Sequence, residues 1–291
     1  MDLPITYQGE EGAYSDEACR LLFPGSETMG RRAFADVFAA VSAGQAGAAV
    51  LPVENSLAGV VQEVSDLLWQ HEELAVEGEW VMPVRHHLLA HAGSPVRRAL
   101  SHPQALAQCA SWLRRHKLTP VSFADTAGAA RHVAAFGLPG DAAIASATAA
   151  ELYDLEVVAA DIADHPSNQT RFVVVTRRPV GPVPPAGPSK IAMGFVAEHR
   201  PGGLVQVLQV FSDLALNLTR LDSRPIPDQP FRYRFYVDAE LGDGAEAADV
   251  LRKLAHLGQE LRDFGVYPRS LPPAKAAEPG KVATLGAPDD G

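Results

Sequence analysis

Asn168-Gln169-Thr170-Arg171-Phe172-Val173-Val174-Val175 follows a polar turn, Asp164-His165-Pro166-Ser167, and leads into an apolar β-branched run. Pro166 and Asn168 favour a turn, and the valines favour a buried strand. An amide, a hydroxyl and a guanidinium therefore arrive together where a loop enters a sheet, a common place for a site on a rigid scaffold. Asn168, Thr170 and Arg171 are suited to holding an oxyanion and placing one proton donor. They suit equally a plain turn followed by a solvated charge, and five residues alone do not decide.

Upstream of this stretch, short apolar segments alternate with helical ones. Leu3–Tyr7 reads as a strand and leads into the loop Gln8-Gly9-Glu10-Glu11-Gly12-Ala13-Tyr14. Ser15 reads as the N-cap of the helix that follows. Free N–H groups at a helix start make an anion site, and they also make an ordinary capped turn. A helix from Asp36 to Ser42 precedes the strand Ala48–Val53, with Glu54-Asn55-Ser56 at its carboxyl end, where ligands gather in open α/β sheets. Asn55 and Ser56 equally suit capping the helix from about Val60 to Gln70. Leu74–Ala90 reads as one long extended segment, and a helix opens at Ser101-His102-Pro103-Gln104 and runs through Trp112. Strand 120–123, helix 126–136, strand 142–145, helix 147–153 and strand 155–159 complete an alternation that implies a mostly parallel, covered sheet.

His86, His87 and His91 invite a metal reading. Adjacent residues on a strand face opposite sides, however, and no Cys or carboxylate stands at ligand spacing nearby, so no metal is expected. At 291 residues with 47% hydrophobic content, the chain suggests about two domains with real cores. Its net charge of −10 argues against a nucleic-acid partner, so an anionic ligand must be captured by local donors. Two cysteines, Cys19 and Cys109, give no disulfide framework and fit a reducing compartment. The start Met1-Asp2-Leu3-Pro4 lacks the regions of a signal peptide, and no run of about 18 apolar residues spans a membrane. A cytoplasmic location is expected.

Residues 179–188 are rich in proline and glycine and read as a semi-rigid linker. Beyond them the order strand, helix, strand, strand, helix, strand over residues 189–270 is that of a ferredoxin-like βαββαβ module. Residues 271–291 are low in apolar content and are expected to be disordered.

Six stretches in this order resemble prephenate dehydratase: Tyr7-Gln8-Gly9 with Gly12-Ala13-Tyr14-Ser15, Pro52-Val53-Glu54-Asn55-Ser56, Arg85-His86 with Leu88-Leu89, Ser101-His102-Pro103-Gln104-Ala105, Ala143-Ile144-Ala145-Ser146, and Asn168-Gln169-Thr170-Arg171-Phe172. The second module resembles an ACT amino-acid-binding domain through Gly203-Leu204-Val205 and Asp222-Ser223-Arg224-Pro225, the family's Glu being Asp222 here. The resemblance implies an α/β fold: a catalytic region of residues 1–178 with two lobes, similar to type II periplasmic binding proteins, then the ACT module. The first lobe is expected to hold residues 1–80 and 155–177, the second 81–154.

It also implies the chemistry. Prephenate loses its ring carboxylate as carbon dioxide and its hydroxyl as water, giving phenylpyruvate, with no cofactor. Thr170 is implied as the catalytic group, and Gly12, Ala13, Tyr14, Ser15, Asn55, Ser56, Asn168 and Arg171 as substrate donors. Arg171 serves equally to pin the loop. His86, His102 and Gln104 are possible cleft residues. L-Phenylalanine is the implied effector, near Gly203, Leu204, Val205, Asn217, Leu218, Asp222, Ser223 and Arg224, in a homodimer or homotetramer paired through these modules. Arogenate dehydratase and a non-catalytic amino-acid sensor are the alternatives.

Overall fold

The computed structural model describes residues 3–178, 189–241, 247–255, 257 and 260–269. The expected linker, 179–188, and tail, 271–291, lie outside the described residues.

The chain opens with β1 (Ile5–Gln8), α1 (Tyr14–Leu22), β2 (Thr28–Arg31), α2 (Phe34–Ser42), β3 (Ala48–Asn55), β4 (Gly59–Val60), α3 (Gln62–Gln70) and β5 (Leu74–Pro83). It then crosses to a second sheet through β6 (His87–Ala90), β7 (Arg98–Ser101), α4 (Pro103–Gln108), α5 (Ala110–Arg115), β8 (Thr119–Ser122), α6 (Thr126–Phe136), β9 (Asp141–Ala145), α7 (Ala147–Leu152) and β10 (Glu156–Ala159). It returns as β11 (Gln169–Arg177), which inserts between β3 and β5, antiparallel to both. The first sheet is ordered β2-β1-β3-β11-β5 and the second β10-β6-β9-β7-β8.

Insertion explains the uninterrupted valine run. Phe172 and Val174 enter a core with Tyr7, Cys19 and Trp80, while Val173 and Val175 enter another with Leu51, Leu68 and Trp69. A strand buried on both faces is apolar at every position rather than at alternate ones.

Several boundaries differ from the sequence reading. β10 pairs with β6, so the return to the first lobe lies after residue 159, not at 155. β5 pairs with β11 as far as Pro83, so the outward crossing is at 84–86 rather than after 80. Sheet membership depends on remote hydrogen-bond partners, which a strand's own residues do not encode. The long extended segment is accordingly two strands in two sheets, and the helix expected through Trp112 breaks at Cys109 (φ −113°, ψ 11°). Neither β2 nor β7 has the alternation that would announce it. Helix α1 starts from Ala13 without a side-chain cap, rather than from Ser15.

The second module is β12 (Ser189–Val196), α8 (Gly203–Asp213), β13 (Asn217–Pro225), β14 (Tyr233–Leu241), α9 (Ala247–Ala255) and β15 (Glu260–Pro268), the expected βαββαβ order. Its antiparallel sheet, β13-β14-β12-β15, packs one face under α8 and α9, where Ile191, Phe195, Val207 and Phe211 meet. The other face lies on the first lobe: Ala192, Tyr236, Phe264 and Tyr267 share a core with Leu68, Trp69 and Val173. Two glycines permit that approach. A Cβ at Gly194 would sit 2.9 Å from the Trp69 ring, and one at Gly265 (φ +133°) 2.4 Å from the Val76 carbonyl oxygen.

Candidate active site

Thr170 lies at the start of β11, opposite Asn55 at the end of β3, and is 8% exposed. Asn55 Oδ1 accepts from the backbone N–H groups of Leu57 (3.0 Å) and Ala58 (2.9 Å). Those bonds fix the amide, so its Nδ2 is the end that meets Thr170 Oγ1 at 2.9 Å and Asn168 Oδ1 at 2.8 Å. Because Thr170 Oγ1 accepts from Asn55, its own hydrogen stays available for another acceptor.

A polar chain continues from there into both lobes. Asn168, 1% exposed, donates from Nδ2 to Gln108 Oε1 at 3.1 Å, and His86 Nε2 lies 2.7 Å from the same oxygen. An amide oxygen only accepts, so Nε2 carries a hydrogen. Burial pushes the His86 imidazole down from its ordinary pKa and outweighs the opposing bond to Gln108, which leaves a neutral ring with Nδ1 as acceptor. Tyr14 Oη stands 2.7 Å from that Nδ1 and 2.9 Å from the Arg85 carbonyl oxygen. The series Tyr14, His86, Gln108, Asn168, Asn55, Thr170 thus ties α1 and β3 of the first lobe to α4 of the second through both crossings. Arg85 and Asp161 add a 2.9 Å ion pair between the crossings.

Sequence reasoning singled out every member of this series except Gln108. Nothing in Gln108's local pattern distinguishes it from a solvated glutamine on the last turn of α4, because its partners lie 22 and 60 residues away.

Other expected donors are already engaged. Ser56 Oγ donates to the Ser167 carbonyl oxygen at 3.3 Å and accepts from Gln169 N at 3.0 Å, fastening the β3 turn to the returning chain. The glycine loop is not an open anion cradle: Gly12 N donates to Asp16 at 2.9 Å and Ala13 N to the Glu10 carbonyl oxygen at 3.1 Å. The loop serves as a contact between lobes. Ser146 Oγ, capping α7, donates to the Gly12 carbonyl oxygen at 2.8 Å, and Tyr153 Oη to that of Glu11 at 2.7 Å. Beside this contact, burial, with the charges of Asp16 and Glu151 adding, pushes the Glu17 carboxyl up to about 7. Ser15 is buried in the first turn of α1. His102 and Gln104 are exposed, and the ring nitrogen Nδ1 of His102 caps α4 by accepting from Gln104 N at 3.2 Å. Neither joins the series around Thr170.

Arg171 is a correction. Its guanidinium leaves the opposite face of β11 from Thr170, because consecutive strand residues alternate. It donates to Glu79 Oε2 at 3.0 Å, to the Asp238 carboxylate and to Tyr267 Oη at 3.3 Å. The expected substrate donor is therefore a buried contact to the second module. Burial by itself would push this guanidinium down, but Asp238, Tyr267 and Glu79 together hold it above its ordinary range.

The expected effector residues divide. Leu204 lines a cavity of about 320 Å³ with His199, Arg200, Arg232, Tyr233 and Phe235, at the start of α8 next to Gly203. Val205 is 63% exposed on the same first turn. Asp222 and Ser223 pair with Tyr236 and Phe235 towards that end of the sheet, whereas Asn217 pairs with Glu240, and Leu218 with Ala239, at the far end. One copy of the module therefore does not bring all eight residues together. Arg224 donates to Asp66 on α3 at 2.8 Å, another link to the first lobe.

Comparison with known proteins agrees with this architecture. A family model described as prephenate dehydratase matches residues 5–180. An Arabidopsis thaliana protein named arogenate dehydratase/prephenate dehydratase 2, chloroplastic, is 40% identical over 91% of this chain and 72% of its own length. A Komagataeibacter europaeus protein named bifunctional N-acyl-homoserine lactone acylase/prephenate dehydratase is 38% identical over 91% of this chain and 96% of its own. The crystal structure of an Arthrobacter aurescens prephenate dehydratase in complex with L-Phe superposes with a TM-score of 0.83 at 30% identity, covering 94% of this chain and 93% of that one.

Proposed function

Since the chain belongs to the prephenate dehydratase family of hydro-lyases, we propose that it converts prephenate to phenylpyruvate at Thr170. The observation carrying this reading is the Asn55–Thr170 hydrogen bond, with the Asn55 amide locked by its own turn. It directs the Thr170 hydrogen away from the protein amide and towards a leaving hydroxyl. The substrate C–O bond breaks as that oxygen takes a proton and departs as water. The ring carboxylate departs as carbon dioxide, and its C–C electron pair completes the aromatic ring. Thr170 is a weak acid, so its part is an oriented hydrogen bond that strengthens as charge builds on the leaving oxygen. Asn168 and Gln108 hold the returning chain at the height where this bond forms.

Arogenate, which carries an amine where prephenate has a keto group, is the second substrate to consider, because the Arabidopsis relative bears both activities in its name. Purified protein given prephenate and then arogenate, followed by phenylpyruvate absorbance and by phenylalanine formation, decides between them. Activity on neither would overturn the proposal.

We propose further that the second module is an ACT domain that binds L-phenylalanine and inhibits turnover, in a homo-oligomer paired through these modules. In its support, the cavity beside Gly203 offers aromatic walls in Tyr233 and Phe235 and a cation in Arg232 for a carboxylate, while Arg200 is paired with Glu198 of the same lining. The Arthrobacter relative crystallised with L-Phe. Inhibition requires that phenylalanine bind one global state better than the other by about 1–3 kcal/mol.

A further inference from the structure

Thr170 and Arg171 are neighbours in sequence, yet they serve two different compartments of the molecule. The pairing of β11 with β3 slips between Arg171 and Phe172, and an irregularity of this kind re-aims the side chains beside it. At this slip the pairing of β11 with β5 continues unbroken, and the Arg171 guanidinium adds a side-chain hold from the other face. Glu79 on β5 and, at 3.8 Å, Glu54 on β3 approach it from the first lobe. Asp238 on β14 and Tyr267 on β15 approach it from the second module. Lys190 on β12 closes the cluster with a 2.8 Å bond to Glu79. Glu79, Asp238 and Lys190 are 2%, 3% and 7% exposed, so two acids and two bases balance within a buried space. A planar fork with fixed donors transmits orientation as well as charge. Other polar ties between module and lobe, among them Arg178 to Asp263, Arg224 and Tyr236 to Asp66, Arg220 to Ser65 and Arg262 to Glu72, do not touch β11 beside Thr170.

We propose that Arg171 is a positioning residue for the dehydration. Clamped between Glu79 and the second module's Asp238, it sets the height and twist of β11 at Thr170, and the second module acts on the reaction through this one guanidinium. The inference rests on Thr170 as the group that delivers the proton, and adds the residue through which the module reaches it.

The test compares Asp238→Asn with Arg178→Gln in the full chain. Each loosens the junction, but only the first touches Arg171. Two quantities are read: kcat and KM with prephenate or arogenate, and amide hydrogen exchange over residues 168–172. Asp238→Asn is expected to lower kcat at least about tenfold with KM within about twofold, the pattern of an interaction made in the transition state. It is also expected to speed exchange over 168–172, while Arg178→Gln leaves both near wild type. Wild-type kcat and exchange in Asp238→Asn, even with a lowered melting temperature, would reduce the cluster to structure and overturn the inference. Equal losses in Arg178→Gln would do the same. Should Asp238→Asn fail to fold, Tyr267→Phe, which removes one hydrogen bond and no charge, is expected to shift kcat and exchange in the same direction, and no shift in either overturns the inference. A wild type active on neither substrate would count against the proposed activity, and the exchange comparison would still decide the clamp.

Discussion

The Asn55 amide donates to Thr170 Oγ1 at 2.9 Å, across 115 residues of chain, and by doing so leaves the threonine hydrogen free. The bond leaves Thr170 able to act as the donor that the proposed function requires, rather than a hydroxyl whose hydrogen is spent on Asn55. Thr170→Val keeps the β-branched shape and removes the donor, so kcat should fall at least about 100-fold with KM little changed. Thr170→Ser should keep measurable activity. Steady-state kinetics check both, and a valine variant with more than half of wild-type turnover would rule the assignment out.

The sequence reads Asn55 as a substrate donor or a cap, and the structure adds its hydrogen bond to Thr170. Asn55→Asp keeps the oxygen that accepts from Leu57 and Ala58 but loses the Nδ2 donor, so Thr170 must turn its hydrogen towards the new carboxylate. The melting temperature should stay near wild type while kcat falls at least about tenfold. Asn55→Ala should lose turnover and also about 1–3 kcal/mol of stability, measured by urea denaturation, because two backbone N–H groups lose their acceptor. A raised KM with unchanged kcat in the Asp variant would restore the substrate-donor role.

Glu17 makes stability depend on pH. A glutamate titrates near about 4.3 in an unfolded chain and at about 7 in this fold, chiefly through burial. Between those values the folded protein holds the extra proton. Its contribution is therefore complete below about pH 4.3 and lost as pH rises through 7. His86 acts with the opposite sign: its lowered pKa gives a contribution present above the ordinary histidine value and lost as pH falls. Glu17→Gln removes the first dependence alone. Its melting temperature relative to wild type should rise by roughly 3 °C or more between pH 5 and pH 8, and a constant difference would refute the assignment.

Gly203 opens α8 beside the cavity, and a Cβ there would lie 2.2 Å from the Glu198 carbonyl oxygen. Even Gly203→Ala must reshape the turn from Glu198 to Gly203. The variant is expected to keep wild-type turnover, to show no phenylalanine binding by calorimetry, and to be insensitive to phenylalanine in assay. Wild-type activity that stays flat across millimolar phenylalanine would sink the regulatory proposal and leave the catalytic one standing.

The sequence by itself determined most of the order of the elements, β2 and β7 excepted, and the residue types at the site. Alternation of short apolar and helical segments, a proline-rich break, and the βαββαβ order beyond it are local patterns, and local patterns survive without coordinates. Asn55, Asn168 and Thr170 were legible because each stands where a polar turn meets a strand end. Tertiary structure decided what each side chain faces. β10 belongs to the second sheet because β6 is its partner, and Gln108 matters because His86 and Asn168 fold onto it. Arg171 faces the second module instead of the substrate because an inserted strand has two buried sides, and only the packed lobes say which compartment lies on each. Strand alternation announces that Thr170 and Arg171 part company; it takes the fold to say that one meets Asn55 and the polar series between the lobes and the other the module beside it.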